Sequence, residues 1–168
     1  MPGSGTRAGT SAGWASSAGA SARSTPTSSP WGGRGGRRGL EPILEKVRLL
    51  DASRAFSHHR AAALALEALG PALSAEGRRQ AAGALADVLA RPGMTGHATT
   101  TLQETHQKAA VGGRTATRPR NQSLRELLLA RALYRLGDHE GVGERILRTY
   151  ARDLRGHYAR HARAVLND

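Results

Sequence analysis

The sequence contains no cysteine, and only two of its 25 basic residues, Lys46 and Lys108, are lysines. The absence of cysteine excludes a disulfide scaffold, a thiolate metal site and a cysteine nucleophile, and it fits a reducing compartment. The other 23 basic residues are arginines, a bias typical of GC-rich genomes and therefore a weak indication of nucleic-acid binding. With 13 acidic residues the formal net charge is +12, which attracts polyanions non-specifically.

Long apolar runs are also missing. None approaches the roughly 18 residues that span a bilayer. The stretch "MPGSGTRAGTSAGWASSAGASARS" lacks the continuous apolar centre of a secretory signal. "GRRGLEPILEKV" contains twin arginines, but charged residues return before any apolar stretch, so no export signal is assigned. We therefore expect a cytoplasmic protein without membrane contact.

Two regions of different composition follow one another. Residues 1–39 hold five arginines and no acidic residue, and their large apolar residues are Met1, Trp14 and Trp31. Such a segment buries too little apolar surface to offset the entropy lost on ordering, so we predict that it is disordered. Residues 40–168 carry 20 basic and 13 acidic residues in helical periodicity. We predict one helical domain there, with a flexible basic loop near 111–121.

The beginning of this domain carries signals for two helices. The first is predicted from Glu41, with Pro42 in its first turn, where a proline is tolerated. Its apolar face comprises Ile43, Leu44, Val47 and Leu50. The second helix is predicted from about His58 to Leu69. It ends at "LGP", where Gly70 is expected in the left-handed conformation and a proline prevents continuation.

A third helix and a looser stretch come next. Ser74 is expected to cap the third helix, and "RPG" at 91–93 ends it. Its apolar side comprises Ala81, Leu85, Val88 and Leu89, and its polar side Glu76, Arg79, Gln80 and Asp87. The turns between these three helices are short, which predicts antiparallel packing. A further helix is expected around 100–110, before the flexible loop.

The last third of the chain shows the clearest helix signals. Ser123 and Glu126 have the spacing of a capping box, which predicts a helix start at Ser123. The leucines of this helix fall on more than one side, as expected of a helix packed between neighbours. They are Leu124, Leu127, Leu128, Leu129, Leu133 and Leu136. Gly137 is expected to end the helix and Asp138 to cap the next one.

Two amphipathic helices complete the chain. In the first, one arc is apolar and the opposite side carries arginines. The apolar arc comprises Val142, Ile146, Leu147, Tyr150 and Leu154, and the arginines are Arg145, Arg148, Arg152 and Arg155. Gly156 is expected to break or kink the chain before the last helix. That helix is expected to bury Tyr158, Ala162, Val165 and Leu166.

A weak internal repeat links the two halves of the domain. "ALEALG" at 65–70 and "ALYRLG" at 132–137 share Ala, Leu, Leu and Gly at an offset of 67 residues. This offset is about twice the length of a helical-hairpin repeat. We therefore predict an all-α fold of five to seven short helices in antiparallel hairpins, arranged as a HEAT-like or TPR-like solenoid or as a bundle.

The seven histidines are the natural candidates for a metal site. His157 and His161 lie four residues apart on one helix, but the glutamate of an HExxH site is absent, and two ligands do not complete a zinc site. We interpret them as residues at the edge of the helix packing surface. His58 and His59 point in different directions. Nothing in the spacing of His97 or His106 selects them for a role.

Motifs for catalysis are absent from the sequence. No serine stands in a G-x-S-x-G turn, and "GGRGGRRG" matches neither the dinucleotide-binding nor the P-loop glycine pattern. We therefore predict no catalytic, cofactor-binding or metal-binding residue in this chain.

Three basic features favour nucleic acid: the tract at 32–39, the loop at 114–120 and the four-arginine stripe of the second-last helix. The tract has no interleaved aromatic residue and the stripe has no stacking residue on its own face, so we expect non-specific binding at most.

The segment "PRNQSLRELLLARALYRLGDHEGVGERILRTYARDLRGHYARHARAVL" resembles the C-terminal helical region of bacterial FAD-dependent oxidoreductases, in which HEAT-like helices follow a flavin-binding domain. "RPGMTGHATTTL" at 91–102 is similar to the preceding part of that region. The resemblance covers about the last half of the chain and extends towards Leu40. No residue of it belongs to the glycine-rich turn that holds the flavin.

This resemblance implies a non-catalytic tail separated from its flavin domain. The chain would be a fragment that serves packing or partner contact, inactive alone and without FAD unless the upstream domain is present. Its partner would be that flavin domain or another protein. Because helical repeats expose apolar end faces when they are cut from their neighbours, self-association is expected. A free-standing helical-repeat adaptor is the alternative, and a basic nucleic-acid-binding protein comes third.

Overall fold

The structure is a computed structural model that describes residues 35–112 and 117–168, with side chains for 39–108 and 117–168. Its ordered elements are all helical, as predicted, and no strand occurs in the described ranges. In chain order they are α1 (Gly35–Arg48), α2 (Phe56–Leu69), the 3-10 turn Gly70–Ala72, α3 (Ala75–Leu89), α4 (Leu102–Gly112), α5 (Thr117–Arg135), α6 (Val142–Tyr150) and α7 (Gly156–Asn167). Within these ranges, no helix is both long and apolar enough to cross a membrane.

Helix α1 begins six residues before the predicted start at Glu41. Residues 35–39, assigned by composition to the disordered segment, therefore belong to the helix, while residues 1–34 lie outside the described residues. Pro42 sits in the helix interior and not in the first turn. Since its ring nitrogen carries no hydrogen, α1 lacks one backbone hydrogen bond there.

Helix α2 ends where the sequence predicted, but by another geometry. Gly70 has φ −44° and continues into a 3-10 turn, so the expected left-handed cap is wrong. A Cβ atom at Gly70 would lie 3.3 Å from Leu136 Cδ2. The glycine is therefore explained by the close approach of α5.

Helix α3 begins and ends as the sequence predicts. The Ser74 hydroxyl accepts a hydrogen bond from Gly77 N at 3.1 Å, which satisfies one of the free N–H groups of the first turn. The predicted apolar side is buried and the predicted polar side is exposed. The cap and the period of 3.6 residues are local signals, which accounts for the agreement.

Four helices enclose the larger apolar core. Within this group of four, α1 contacts α2 and α3, and α5 also contacts α2 and α3. Each member of this group therefore has two neighbours around a shared centre, which includes Leu44, Leu66, Leu85 and Leu133. The consecutive helices α2 and α3, expected to pack as a hairpin, are not a main contact. This closed arrangement is of the bundle type.

Helix α5 belongs to two cores at once. Leu129 and Leu133 lie in the larger core, while Leu127 and Ala130 lie in a second one with Leu147 of α6 and the aromatic rings of Tyr150 and Tyr158. The second core lies where α5 packs against α6 and α7. The prediction that the leucine-rich helix packs between neighbours is therefore confirmed.

The predicted capping box at the start of α5 is wrong. The helix begins at Thr117, so Ser123 and Glu126 lie in its interior, and both are buried. Pro119 is the third residue of α5, where a missing N–H costs no helical hydrogen bond. Of the flexible loop expected at 111–121, residues 111–112 and 117–121 are helical, and residues 113–116 lie outside the described ranges.

Helix α6 is capped as predicted but ends early. Gly137 has a positive φ of 102°, and the Asp138 carboxylate accepts hydrogen bonds from Gly143 N at 2.8 Å and Glu144 N at 2.9 Å. After Tyr150 the chain leaves the helix, so Leu154, expected on the apolar arc, is exposed in the turn. Residues 151–155 form the turn between α6 and α7, and Gly156 is the first residue of α7. Of the predicted α7 core residues, Leu166 is only partly buried.

The C-terminal ends of α2 and α5, which carry the repeated sequence, lie side by side. Glu67 accepts two hydrogen bonds from Arg131, at 2.7 and 2.9 Å, and the two side chains are 12% and 14% exposed. Toward the other ends of the two helices, Arg125 donates to Ala52 O at 3.0 Å, just before α2 begins. The helices therefore run in the same direction, with Gly70 against Leu136 at their C-terminal ends.

Replacing Glu67 by Gln should destabilise the fold by about 2–3 kcal/mol, because the Arg131 guanidinium would remain mostly buried without a charged partner. The free energy of unfolding from urea titration measures this loss. Glu76→Gln is the matched control, since its pair with Arg79 is exposed, and it should cost no more than about 0.5 kcal/mol. Equal losses in the two variants would contradict the assignment.

Candidate functional site

An open groove with a volume of about 600 Å³ lies between α1 and α2. Its apolar lining comes from both helices: Pro42, Ile43, Leu49 and Leu50 from α1 and its end, and Ala61, Ala62 and Ala65 from α2. On α2 the alanines follow the helical period, so they share a face. Their small side chains leave the depression between the two helices.

The edges of the groove are basic. The charged or titratable residues in its lining are Lys46, Arg54 and His58, and no carboxylate belongs to it. All three side chains are exposed. Leu49 stands at the same groove and is 59% exposed, although a large aliphatic side chain is usually buried. The groove therefore offers an apolar floor between positive charges.

The turn that joins the two groove helices is held by side chains from outside it. Arg91 donates to Arg48 O at 2.9 Å and also to Leu50 O. Arg125 donates to Ala52 O at 3.0 Å and to Gly93 O at 2.7 Å. Arg91 thereby pairs the Arg48 carbonyl at the end of α1, which has no helical partner, while Arg125 joins the turn at Ala52 to the loop after α3. The groove is therefore built on a fixed turn.

His59 fixes the same turn from within α2. Its imidazole is fully buried, with Nδ1 3.1 Å from Ala55 O and Nε2 3.0 Å from Asp51 O. Burial lowers the pKa of His59, and the hydrogen bonds to the two carbonyl oxygens, which favour the charged form, offset this only in part. The adjacent His58 lines the groove, so the two histidines do point apart, as predicted.

A second feature is the buried polar network around residues 96–99. The Glu126 carboxylate accepts hydrogen bonds from Gly96 N at 3.0 Å, from His97 N at 2.8 Å and from the Tyr150 hydroxyl at 2.9 Å. Burial, with the Glu126 charge beside the phenol, raises the pKa of Tyr150, which stays a neutral donor. Glu126 therefore joins the extended segment after α3 to α5 and α6.

The turn between α6 and α7 binds the same segment. Thr99 N donates to Asp153 Oδ2 at 2.9 Å, and Leu154 N donates to Thr99 O at 2.8 Å. Burial by itself would raise the pKa of Asp153, but hydrogen bonds from Arg155 and Thr99 outweigh it and hold that pKa below its ordinary value. This pairing draws the chain out of the helix after Tyr150.

Lys108 and Arg155 enclose a smaller cavity of about 250 Å³. Lys108 Nζ donates to His97 O, Ala98 O and Thr99 Oγ1 at 2.8–3.2 Å, which uses all three hydrogens of its ammonium group. Burial lowers the pKa of Lys108, and the positive charge of Arg155 adds to the effect. The hydrogen-bonding capacity of Lys108 is therefore directed to residues 97–99.

Ser123 also lines this cavity, but its surroundings do not activate it as a nucleophile. Its hydroxyl lies 3.1 Å from His97 O and 3.2 Å from Pro119 O, and it accepts from Arg155 Nη1 at 3.0 Å. The His97 ring is hydrogen-bonded to Gly93 O and not to the Ser123 hydroxyl. A serine nucleophile needs a general base on its hydroxyl, and carbonyl oxygens and a guanidinium do not supply one.

The other histidines are spread over the surface. His157 is exposed and its ring contacts the Tyr158 ring, with 3.9 Å between centroids. His161 is half-buried against α5, where burial and the charges of Arg131 and Arg135 lower its pKa. In the part of the chain that the structure describes, no three His, Asp or Glu side chains form a group that could hold a metal ion.

The predicted stripe of four arginines is not formed. Arg155 lies in the turn after α6, half-buried, where it binds Asp153 and stacks 4.4 Å from the centre of the Tyr158 ring. Arg148 pairs with Glu144 at 2.6 Å, and Arg145 donates to Glu140 O at 2.6 Å. The sequence prediction extends the helical period past Tyr150, where α6 ends, and therefore places Arg155 on the helix. Of the basic tract at 32–39, residues 32–34 lie outside the described residues, and of the basic loop at 114–120, residues 114–116 do.

Sequence patterns alone predict neither the α1–α2 groove nor the buried polar network around residues 96–99. One signal for the groove was available: Leu49 and Leu50 are adjacent at the end of α1, so only one of them could face the core. Comparisons with known protein families, with curated proteins and with solved structures find no match. The groove and the polar network are therefore interpreted from their own chemistry.

Replacing Glu126 by Ala should destabilise the fold by about 2–4 kcal/mol, because two backbone N–H groups and a buried phenol lose their acceptor. Tyr150→Phe should cost about 1 kcal/mol, since it removes one of the three bonds. Urea unfolding gives both values. Glu45→Ala, at an exposed position of α1, serves as the control, and a similar loss there would contradict the role of Glu126.

Acidification should weaken the fold through His59. Because its pKa is lower in the folded state, the unfolded chain takes up the proton first as pH falls below about 6.5, and stability is lost below that pH. We expect up to about 1 kcal/mol less unfolding free energy at about pH 5.5 than at about pH 7.5. His59→Gln should reduce this difference, whereas His106→Gln, at an exposed position, should leave it unchanged. An equal pH effect in both variants would overturn the explanation.

Proposed function

We propose that this chain is a non-catalytic helical module that contacts a partner protein through the groove between α1 and α2. The observation that carries the proposal is the apolar floor of this groove, open to solvent on a turn fixed by Arg91, Arg125 and His59. Burial of apolar surface in a prearranged groove favours association, since little ordering is needed on binding. Protein partners use such clefts between helices.

The buried polar side chains support a structural role over a catalytic one. Glu126, Asp153 and Lys108 each bind backbone atoms of residues 96–99. Their hydrogen-bonding capacity is therefore directed into the fold and away from a substrate. A catalytic acid or base instead needs its polar atom within reach of the reacting group.

The partner is proposed to be the flavin domain of an FAD-dependent oxidoreductase. This follows from the resemblance of residues 119–166 to the helical tail of that group, with the present chain as the separated tail and FAD bound only by the missing domain. A cytoplasmic location is part of the same proposal. The repeated Ala-Leu and Leu-Gly pairs stand at the parallel ends of α2 and α5, which supports repeated helical units, whereas the closed contacts of α1, α2, α3 and α5 are of the bundle type.

A free-standing adaptor of helical repeats is the alternative, and the same groove would serve it. The apolar lining favours a protein partner over a nucleic acid, because phosphate binding depends on clustered free cations. Two of the four arginines proposed for that role, Arg148 and Arg155, are paired with carboxylates.

A photocrosslinking residue at position 49, in the full chain expressed in its host cells, should give a protein adduct of defined mass. The same residue at position 102 is the matched control, because Leu102 is also an exposed leucine, at 72%, but lies outside the groove. Mass spectrometry then identifies the adduct. A partner with a dinucleotide-binding domain supports the oxidoreductase relation, and any other partner supports the adaptor. No adduct at 49, or equal adducts at both positions, would contradict partner contact through the groove.

A further inference from the structure

Beyond partner contact itself, the chemistry of the α1–α2 groove selects a class of binding segment. We propose that the groove takes an amphipathic helix with an apolar ridge and acidic flanks. The inference rests on the proposed function and deepens it by naming the partner's binding element. Both the shape of the groove and its charge carry the inference.

The shape of the groove suits a third helix. Its floor follows two neighbouring helices, with Ile43 and Leu50 on one side and Ala61, Ala62 and Ala65 on the other. Alanines at helical spacing allow a close approach, and ridges of one helix fit into grooves between others. The apolar ridge of an incoming helix, with residues at i, i+3 or i+4 and i+7, would cover this floor. Leu49, standing exposed at the edge, would then be buried.

Charge selects the flanks of the incoming helix. Lys46 belongs to α1, Arg54 to the turn and His58 to the first turn of α2, so positive groups stand at separate places around the apolar floor. No carboxylate belongs to the lining to neutralise them. The Asp51 carboxylate in the same turn accepts hydrogen bonds from the Ser53 and Arg54 backbone N–H groups through one oxygen, and its charge offsets part of that of Arg54. Acidic side chains beside the ridge would meet these cations, and basic ones would be repelled.

The net charge of +12 acts in the same direction at longer range. It raises the rate at which an acidic segment meets the surface and slows the approach of a basic one. It also opposes a second copy of this chain as the occupant, because two strongly positive chains repel each other. The observations therefore favour an acidic helix over self-association.

The test uses the full chain and three synthetic peptides of about 15 residues, long enough to form helix on binding. One peptide has a leucine ridge with glutamate flanks, the second has the same ridge with lysine flanks, and the third has an alanine ridge with glutamate flanks. Fluorescence anisotropy measures the affinity. We expect the first peptide to bind at least about tenfold more tightly than either of the others.

Substitutions in the chain locate the binding. Leu49→Glu should weaken the leucine–glutamate peptide at least about tenfold, because it removes apolar surface and adds a repelling charge. Leu102→Glu changes the net charge equally outside the groove and should leave the affinity unchanged. The double variant Lys46→Glu/Arg54→Glu should prefer the lysine-flanked peptide. Circular dichroism confirms that each variant keeps its helical content.

The outcomes separate this inference from the proposed function. No binding of the leucine–glutamate peptide, equal binding of all three peptides, or binding indifferent to Leu49→Glu overturns the acidic-helix proposal. If a second copy of the chain or its own residues 1–34 fill the groove, the leucine–glutamate peptide does not bind. A protein adduct at position 49 would still support partner contact in that case, while its absence would contradict the proposed function itself.

Discussion

The fold depends on how two adjacent residues of α5 satisfy the main chain of two loops. Arg125 donates to carbonyl oxygens at Ala52 and Gly93, while Glu126 accepts from the N–H groups of Gly96 and His97. Irregular segments that pack against a core must have their backbone polar groups paired. A buried cation and a buried anion, side by side on one helix, do this for the turn beneath the groove and for the segment after α3.

The groove follows from the way α1 and α2 divide their apolar residues. Leu44 and Val47 of α1 and Ala63 and Leu66 of α2 face the larger core. Pro42, Leu49, Ala61 and Ala65 lie outside that core and line the groove between the two helices. The turn that joins them is held by Arg125 of α5. The core and the groove thus lie on different sides of the same two helices.

Local signals in the sequence were sufficient for much of the fold. The Ser74 cap, the amphipathic period of α3 and the Asp138 cap depend on residues that are close together in the chain, and the structure has all three. Ser123 and Glu126 show why the rest failed. Their spacing fits a capping box, but Ser123 bonds to His97 O, 26 positions away, and Glu126 to Gly96 N, 30 positions away. Arg155 was misplaced for the same reason, since its partners come from three separate segments. Such contacts are set by packing and leave no periodic trace.

Gly70 marks the closest approach of α2 and α5, and its backbone does not require a glycine. The residue sizes allowed at positions 70 and 136 are therefore linked. In related chains, a larger residue at 70 would be expected together with a shorter one than Leu at 136, whereas either change alone would separate the helices or leave a void. The contact thus couples the side-chain volumes of two positions that lie 66 residues apart in the chain.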